Sequence, residues 1–317
     1  MSAKTDRIDR LAELTAARAD EGGHGLWYEA FKRLRRNPMA IAGAVIVLVF
    51  VLIAILARVL APYEPDAQTW LGETSTATMT FPGARAGNLL GVDHLGRDML
   101  SRLLIGSQQS LLVGVVATVL GFSAGALLGG VSGACLGLFG TAGRRVDAVL
   151  MRFNDMALAV PSLLLAVSVA TLLGQSLITV MIAVGVTQVP VFARLLRGSM
   201  LAQSHSDYVM ASTALGVRKS RIVLNHILPN SLGPVLVQVT LSLATAIIEA
   251  AGLSFLGLGG VDAAHPEWGF MLAESQQYLS GALRFAVYPA TAIIVTALGF
   301  TLLGEALREA LDPKLRK

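Results

Sequence analysis

Side chains that commonly carry out enzymatic chemistry are few in this sequence, and their spacing does not suit the usual sites. A phosphate-binding loop of the form GxxxxGK, followed by Ser or Thr, requires a lysine directly after a glycine. No lysine has a glycine before it, so ATP binding by that route is excluded. The five lysines are Lys4, Lys32, Lys219, Lys314 and Lys317. The histidines lack metal-ligand spacing and Cys135 is the one cysteine, so we predict no metal, cofactor or catalytic residue.

One string does match a nucleophile motif. GFSAG at residues 121–125 has the form GxSxG, with Ser123 in the nucleophile position. A working nucleophile elbow requires a sharp turn from a strand into a helix. Because this string lies inside a long apolar run, we interpret the match as a coincidence and predict that the chain is not an enzyme.

Glu249 is the clearest ionisable residue inside an apolar run. Such residues are rare in membranes and indicate a functional site by default. One interpretation is a proton pathway, and the other is a group hydrogen-bonded to a neighbouring helix near the outer interface. No second acid or histidine within an apolar run could take over a proton, which favours the second interpretation.

The composition indicates the class of protein that positions these residues. The chain has 317 residues, of which 54% are apolar and only 15% charged, with a mean hydropathy of +0.64. A soluble domain has roughly 45–50% apolar and about 25% charged residues. Apolar runs long enough to span a bilayer predict an all-α polytopic membrane protein with six transmembrane helices. The runs are residues 40–60, 111–143, 156–173, 177–192, 232–251 and 285–303.

Basic residues predict the orientation of these spans. Cytoplasmic loops of membrane proteins are enriched in Lys and Arg. With both termini in the cytoplasm, 20 of the 25 Lys and Arg residues lie on the inner side. Residues 62–106 and 252–284 are then long outer segments, either solvated caps or docking sites for a partner.

The predicted organisation has five parts. They are a cytoplasmic tail (1–39), a first transmembrane helix (40–61), an outer segment (62–106), a core of five transmembrane helices (107–310) and a cytoplasmic C-terminus (311–317). In residues 26–36, Trp27, Phe31 and Leu34 are spaced i, i+4, i+7 opposite basic residues. This pattern predicts a helix lying on the inner leaflet of the bilayer, and a disordered basic tail is the alternative.

A ridge of glycines runs through the second apolar run at every fourth position. The ridge consists of Gly121, Gly125, Gly129, Gly133 and Gly137. On a helix these positions form a continuous surface without side chains, and another helix can approach it closely. Each step passes a full turn by about 40°, so one partner helix crosses the ridge at an angle or two partners share it. Simple tolerance of glycine in membrane helices is the alternative.

The inner segment at residues 204–230 reads SHSDYVMASTALGVRKSRIVLNHILPN. Ser204 and Asp207 have the spacing of a weak capping box, and residues 205–215 predict a helix. Gly216 suits the position after the helix, which needs a left-handed backbone. A second short helix is predicted over residues 217–228, stopped by Pro229. The segment is predicted to be a rigid handle for a partner, and an amphipathic loop on the bilayer is the alternative.

This segment resembles the EAA loop of ABC-importer permeases, which has the form EAAxxxG, nine residues, then IxLP. Ala211 and Ser212 stand at the two alanine positions, and Gly216 is the glycine. Leu228 and Pro229 close the motif. The chain departs from the family at three positions, which are Met210 in place of Glu, Ser212 in place of Ala and His226 in place of Ile. The missing acid puts in doubt any ionic contact made there.

Five further stretches are similar to the C-type permease subunits of dipeptide and oligopeptide importers. They are RRNPMAIAG (35–43), LLGVDHLGRDMLSRLLIG (89–106), LSFLGLGG (253–260), HPEWGFML (265–272) and ALREALDPKLR (306–316). The resemblance covers nearly all of the chain from about residue 27. It implies the type I ABC-importer permease fold in the plasma (inner) membrane of a prokaryote.

The resemblance also implies partners. A homologous B-type permease subunit completes the pore as a heterodimer, two ABC ATPase subunits bind ATP and Mg²⁺ at the inner face, and an extracytoplasmic substrate-binding protein delivers the substrate. The chain contacts the lipid bilayer and no nucleic acid. The EAA loop transmits closure of the ATPase to the pore, which assigns the ATPase-coupling role to a set of residues. The set is Asp207, Tyr208, Ala211, Ser212, Gly216, Arg218, Leu228 and Pro229.

Two other classes of protein remain as alternatives. An ion-coupled secondary transporter would carry ion-binding residues near the midplane, often in inverted repeats, and neither is apparent here. A membrane scaffold protein would have the glycine ridge as its main feature. Among importers, relatives of this type handle dipeptides, longer peptides, glutathione or nickel complexes, and the pore-lining residues cannot be chosen from one sequence.

Overall fold

The computed structural model describes residues 26–138, 140–260 and 264–311. Within these ranges the regular structure is helical, and the outer segment holds only isolated β-bridges. The prediction of an all-α membrane protein is confirmed. Helix α1 (Leu26–Leu34) is followed by α2 (Pro38–Leu60), which begins where the Asn37 side chain accepts a hydrogen bond from the Met39 N–H at 2.9 Å.

Within the described residues, five helices are long and apolar enough to cross a membrane. They are α2, α3 (Met99–Leu138), α6 (Leu177–Ser204), α9 (Leu228–Phe255) and α11 (Arg284–Leu311). The sixth candidate span is a pair, α4 (Gly140–Ala159) and α5 (Ser162–Leu173), bent by 96°. The third predicted span, residues 156–173, is interrupted at this bend. Pro161 forces Val160 out of the helical region of the backbone, so the chain breaks and changes direction there.

Helix α3 begins 12 residues before the predicted start of the second span. Its first three turns carry buried polar side chains, among them Ser101, Arg102 and Ser110. Their polarity hides the helix from a search for apolar runs, because their partners lie elsewhere in the chain. Before α3 begins, the predicted outer segment 62–106 contains turns and one 3₁₀ turn at Leu71–Glu73.

Two other helices differ from the predicted bounds. Helix α6 continues to Ser204, beyond the apolar run that ends at residue 192. Pro229 was predicted to stop a helix, but it lies in the first turn of α9. Short helix α8 (Lys219–Ile222) leads into α9 through a π-helical turn at Val223–Ile227. The wider turn accommodates a residue that has no N–H to donate.

The buried apolar side chains form three layers along the bundle. The outer layer contains Trp268 and Phe285. The middle layer contains Val113, Val180 and Leu253. The inner layer joins α6 to the handle, which is the segment at residues 204–230 that resembles the EAA loop. This layer is formed by Phe192, Leu196, Met200, Val209, Ile222, Val223, Ile227 and Val235. Helix α3 lies at the centre and contacts α2, α4, α6 and α9.

Candidate functional site

The glycine ridge of α3 lies against α6. The four ridge positions whose surroundings are described are Gly121, Gly125, Gly129 and Gly133. A Cβ atom added at Gly129 would lie 2.9 Å from Ala193 Cα, and one at Gly133 would lie 2.9 Å from Met200 Sδ. Gly137 is in the last turn of α3, and its surroundings lie outside the described part. A single helix of the same chain thus occupies the ridge, so α3 and α6 are held backbone to backbone.

Helix α6 leads directly into the handle. Two residues separate the end of α6 from helix α7 (Asp207–Ala214), and Ser206 directly precedes the first residue of α7. The predicted capping box is wrong, because Ser204 belongs to α6 and its hydroxyl donates to the Leu201 carbonyl at 2.7 Å. The turn between the helices is too short for residue 205 to be helical.

Gly216 closes α7 with a left-handed turn, at φ +74°. The Gly216 N–H donates to the Thr213 carbonyl at 3.0 Å, and the Val217 N–H donates to the Ser212 carbonyl at 3.1 Å. These two bonds form a Schellman motif, which satisfies carbonyls that the helix itself leaves unpaired. The position of α8 relative to α7 therefore depends on a backbone conformation that few residues other than glycine adopt.

The handle is attached firmly to the long helices. Val209 is buried in the inner layer, and the Tyr208 hydroxyl donates to Gln203 Oε1 of α6 at 2.8 Å. The Ser212 hydroxyl donates to the Tyr208 carbonyl at 2.7 Å. Leu228 packs against the inner layer from α9. Side-chain contacts therefore connect α7 to both α6 and α9.

The outward surface of the handle is apolar with a basic border. Met210, Leu215 and Leu224 have exposed fractions of 59%, 83% and 60%. Leu215 and Leu224 line an open groove of about 790 Å³ together with Arg218 and Arg221. Asp207, Ala211, Lys219 and Pro229 are also exposed. Large exposed apolar side chains beside charged ones mark a surface that contacts another protein or the membrane.

At the opposite end of the bundle, three buried charges and a partly buried one join the outer segment and the start of α3 to helix α10 (Trp268–Ser275). The Arg97 guanidinium contacts Asp93 at 2.6 Å and Glu274 at 2.8 Å. The Arg102 guanidinium contacts the same two carboxylates at 3.0 and 2.5 Å. Burial raises the pKa of Glu274, and the positive charge of Arg97 opposes that effect. We call these four residues the outer ion cluster.

Helix α10 is fixed at its start by a buried carboxyl group. Glu267 accepts hydrogen bonds from the Gly269 N–H at 2.9 Å and the Phe270 N–H at 3.1 Å. Burial raises the pKa of Glu267, and these N–H donors act in the opposite direction. The Trp268 indole N–H donates to the Leu103 carbonyl of α3 at 3.0 Å. The outer helix is therefore anchored to α3 at both its first residue and its ion cluster.

Replacing Arg102 by Met is expected to destabilise the folded protein by about 3 kcal/mol, because it leaves buried carboxylates with one cation fewer. The side chain of Arg102 is only 1% exposed. The matched control is Arg85→Met, which breaks a 2.5 Å ion pair with Glu73 at the surface of the same segment. An exposed pair contributes less than about 1 kcal/mol. Thermal unfolding of the purified protein in detergent measures both, and equal losses would contradict a structural role for the cluster.

Glu249 of α9 contacts two neighbouring helices, α5 and α6. The Ser162 hydroxyl of α5 donates to Glu249 Oε1 at 2.7 Å. The Thr187 hydroxyl of α6 lies 3.2 Å from Glu249 Oε2. Hydrogen bonding to neighbouring helices agrees with the second of the two interpretations of this residue.

The outer ion cluster and one contact at the inner side were not predicted from the sequence. The Arg197 guanidinium of α6 makes two bonds to the Asp147 carboxylate of α4, at 2.5 and 2.7 Å, and the Ser132 hydroxyl also donates to Asp147. Arg197 was counted only as a positive charge of an inner loop. The balance of acids and arginines in residues 62–106 was a visible signal for the cluster, but nothing in one sequence indicates that Glu274 completes it.

The chain matches two family models. Residues 125–317 match the binding-protein-dependent transport system inner membrane component, and residues 25–77 match the N-terminal TM domain of oligopeptide transport permease C. The dipeptide transport system permease protein DppC of Alkalihalophilus pseudofirmus is 41% identical over 92% of this chain and 90% of its own length. The di/tripeptide transport system permease protein DppC of Pseudomonas aeruginosa is 39% identical over 91% and 92%.

Two more proteins are similar to the chain. The glutathione transport system permease protein GsiD of Escherichia coli is 40% identical over 92% of this chain and 91% of its own length. Among solved structures, a chain of the MetNI methionine ABC transporter in inward-facing conformations matches with a TM-score of 0.54 and 19% identity. The match covers 68% of this chain and 98% of that chain. At this identity the structural match supports the fold alone.

Proposed function

The chain belongs to the binding-protein-dependent transport system inner membrane component family, and from that membership we propose that it forms half of the pore of an ATP-driven peptide importer. The other half is a homologous B-type permease subunit. Two ABC ATPase subunits bind ATP and Mg²⁺ at the inner face, and an extracytoplasmic binding protein delivers the substrate. The chain itself is a transport permease and not an enzyme.

The surface of the handle is the observation that carries this proposal. A helix capped by Gly216 presents Met210 and Leu215 outward on the side that the basic residues place in the cytoplasm. Its inner side is fixed to α6 and α9 by buried apolar contacts. An ATPase cleft that closes around α7 therefore moves two transmembrane helices. The apolar contact replaces, at Met210, the ionic contact that a glutamate makes possible in the EAA motif.

Short peptides are the substrate class that the relatives favour. The named relatives carry dipeptide, di/tripeptide or glutathione in their names. Each of these compounds consists of amino acids joined by amide bonds and has a free amino group and at least one carboxylate. We propose a substrate with the same groups, and assign its first selection to the binding protein.

Arg218→Glu tests whether the handle binds an ATPase subunit. Arg218 is exposed at the edge of the handle groove. Reversal of its charge is expected to lower co-purification of the ATPase by about tenfold, which corresponds to roughly 1.4 kcal/mol. Membrane insertion should not change, because the residue lies outside the spans.

Arg308→Glu is the matched control. Arg308 is also an exposed basic residue near the inner side, in the last turn of α11. It should leave ATPase retention unchanged. If Arg218→Glu retains the ATPase but impairs membrane insertion, the basic border contacts lipid phosphates and the proposed partner contact is wrong.

A further inference from the structure

Three polar side chains from three different helices meet within the bundle. Ser162 is the first residue of α5, Thr187 lies in the middle of α6, and Glu249 lies in the outer half of α9. The Ser162 hydroxyl and Glu249 Oε1 are 2.7 Å apart, and the Thr187 hydroxyl is 3.2 Å from Glu249 Oε2. We call these three residues the Glu249 group.

The three residues lie within candidate membrane-spanning helices. Ser162 belongs to the bent pair formed by α4 and α5, Thr187 to α6 and Glu249 to α9. An ionisable residue within a span is rare and indicates a functional site by default.

The group is nevertheless open on one side. Ser162 and Pro161 are exposed, and Glu249 is partly exposed. The bend at Pro161 also interrupts the helix within the candidate span, and irregular backbone within a membrane requires protein or water beside it. A carboxylate facing hydrocarbon is expensive, so such residues face a water-filled cavity or the interior of a bundle. The open side of the group is therefore expected to face water or a partner subunit and not lipid.

The charge of the group favours a cation. Among the residues that the structure describes, no Lys or Arg forms an ion pair with Glu249. Both hydroxyl oxygens can still accept hydrogen bonds while their protons are donated. An uncompensated carboxylate between two hydroxyl acceptors matches the three N–H donors of a primary ammonium group.

On the basis of the proposed function, we propose that the Glu249 group is a subsite of the translocation pathway that binds the ammonium group of the transported peptide. The contact occurs after the binding protein has released the peptide. It neutralises the positive N-terminal end of the peptide within the membrane span. Two hydroxyls and one carboxylate bind it weakly enough for release toward the inner side.

Thiol labelling tests the electrostatic part directly. The chain has a single cysteine, so Cys135→Ala gives a cysteine-free background. In that background, the rate at which Ser162→Cys reacts is measured with a trimethylammonium-ethyl methanethiosulfonate and with the sulfonatoethyl reagent. The ratio of the cationic to the anionic rate is expected to be about tenfold higher with Glu249 than in Glu249→Gln, because the carboxylate attracts the cation. Glu249→Asp should keep the high ratio. No reaction with either reagent, or the same ratio with Glu249 and with Glu249→Gln, would overturn the proposal.

Protection from labelling tests the ligand. Alanyl-alanine, which has a free ammonium group, should slow the labelling of Ser162→Cys in the assembled complex. Its N-acetyl derivative should not, because it lacks the charge. Equal protection by both compounds would overturn the assignment of the ammonium group as the ligand.

Uptake separates this inference from the proposed function. In the reconstituted complex with its binding protein, Glu249→Gln should lower peptide uptake about tenfold. Wild-type uptake by Glu249→Gln would contradict the subsite. The labelling assay needs neither ATP nor uptake, so a complex that shows the charge preference but imports no peptide would overturn the proposed function and not the cation site.

Discussion

Gly129→Leu is expected to prevent the chain from folding in the membrane. Even the first atom of the new side chain would lie 2.9 Å from Ala193 Cα and from Ala193 C, which are backbone atoms that cannot rotate away. Overpacking costs typically 1–3 kcal/mol when side chains can adjust, and here about 3 kcal/mol or more is expected because backbones must separate. Membrane-inserted, detergent-stable protein should fall to a small fraction of the wild-type amount.

The neighbouring glycine supplies a control for this result. A Cβ at Gly130 would lie 3.7 Å from Leu196 Cδ2, an ordinary contact. Gly130→Ala should therefore be neutral or slightly stabilising, since alanine favours a helix over glycine by about 1 kcal/mol. Gly129→Ala should be destabilising. Equal stability of the two alanine variants would show that the ridge does not depend on close contact with α6.

Gly216→Val is expected to uncouple ATP hydrolysis from peptide uptake while the spans remain folded. No atom lies within 4 Å of a Cβ at this position, so the effect comes from the backbone at φ +74° and not from crowding. A left-handed residue with a side chain costs roughly 1–2 kcal/mol, and a β-branched one costs more. Such a cost shifts the equilibrium between capped and uncapped handle by a factor of about 5–30. Uptake into vesicles should fall accordingly.

Gly216→Asn is the conservative variant. Asparagine adopts the left-handed conformation more readily than other non-glycine residues. It should retain most of the uptake that valine loses, and the amount of membrane-inserted protein should be similar for both variants. If Gly216→Val keeps wild-type uptake, the handle does not transmit closure of the ATPase, and the likeness to the EAA loop has no mechanistic meaning.

Features that depend on local pattern could be predicted from the sequence. The composition was sufficient for the membrane class, and the apolar runs located five long spanning helices. The four-residue period of Gly121 to Gly137 indicated a close helix contact, and Gly216 indicated a left-handed turn. These predictions succeed because helix periodicity and backbone strain are properties of neighbouring residues.

Features that depend on distant residues could not be predicted. Arg97 and Arg102 meet Glu274 from more than 170 residues away, and their burial turned a polar stretch into the start of α3. Two prolines have opposite effects on the helices that contain or follow them. The chain breaks at Pro161, whereas it stays helical past Pro229. The difference arises because a π-helical turn accommodates Pro229, whereas α5 begins a new direction after Pro161.

The most direct test of the central claim is uptake of a dipeptide into vesicles that contain this chain with its sister permease, both ATPase subunits and the binding protein. Uptake is expected to require ATP hydrolysis and the binding protein, and to continue after ionophores dissipate all ion gradients. Uptake by this chain without ATP, driven by a proton or sodium gradient, would contradict it and identify an ion-coupled secondary transporter instead.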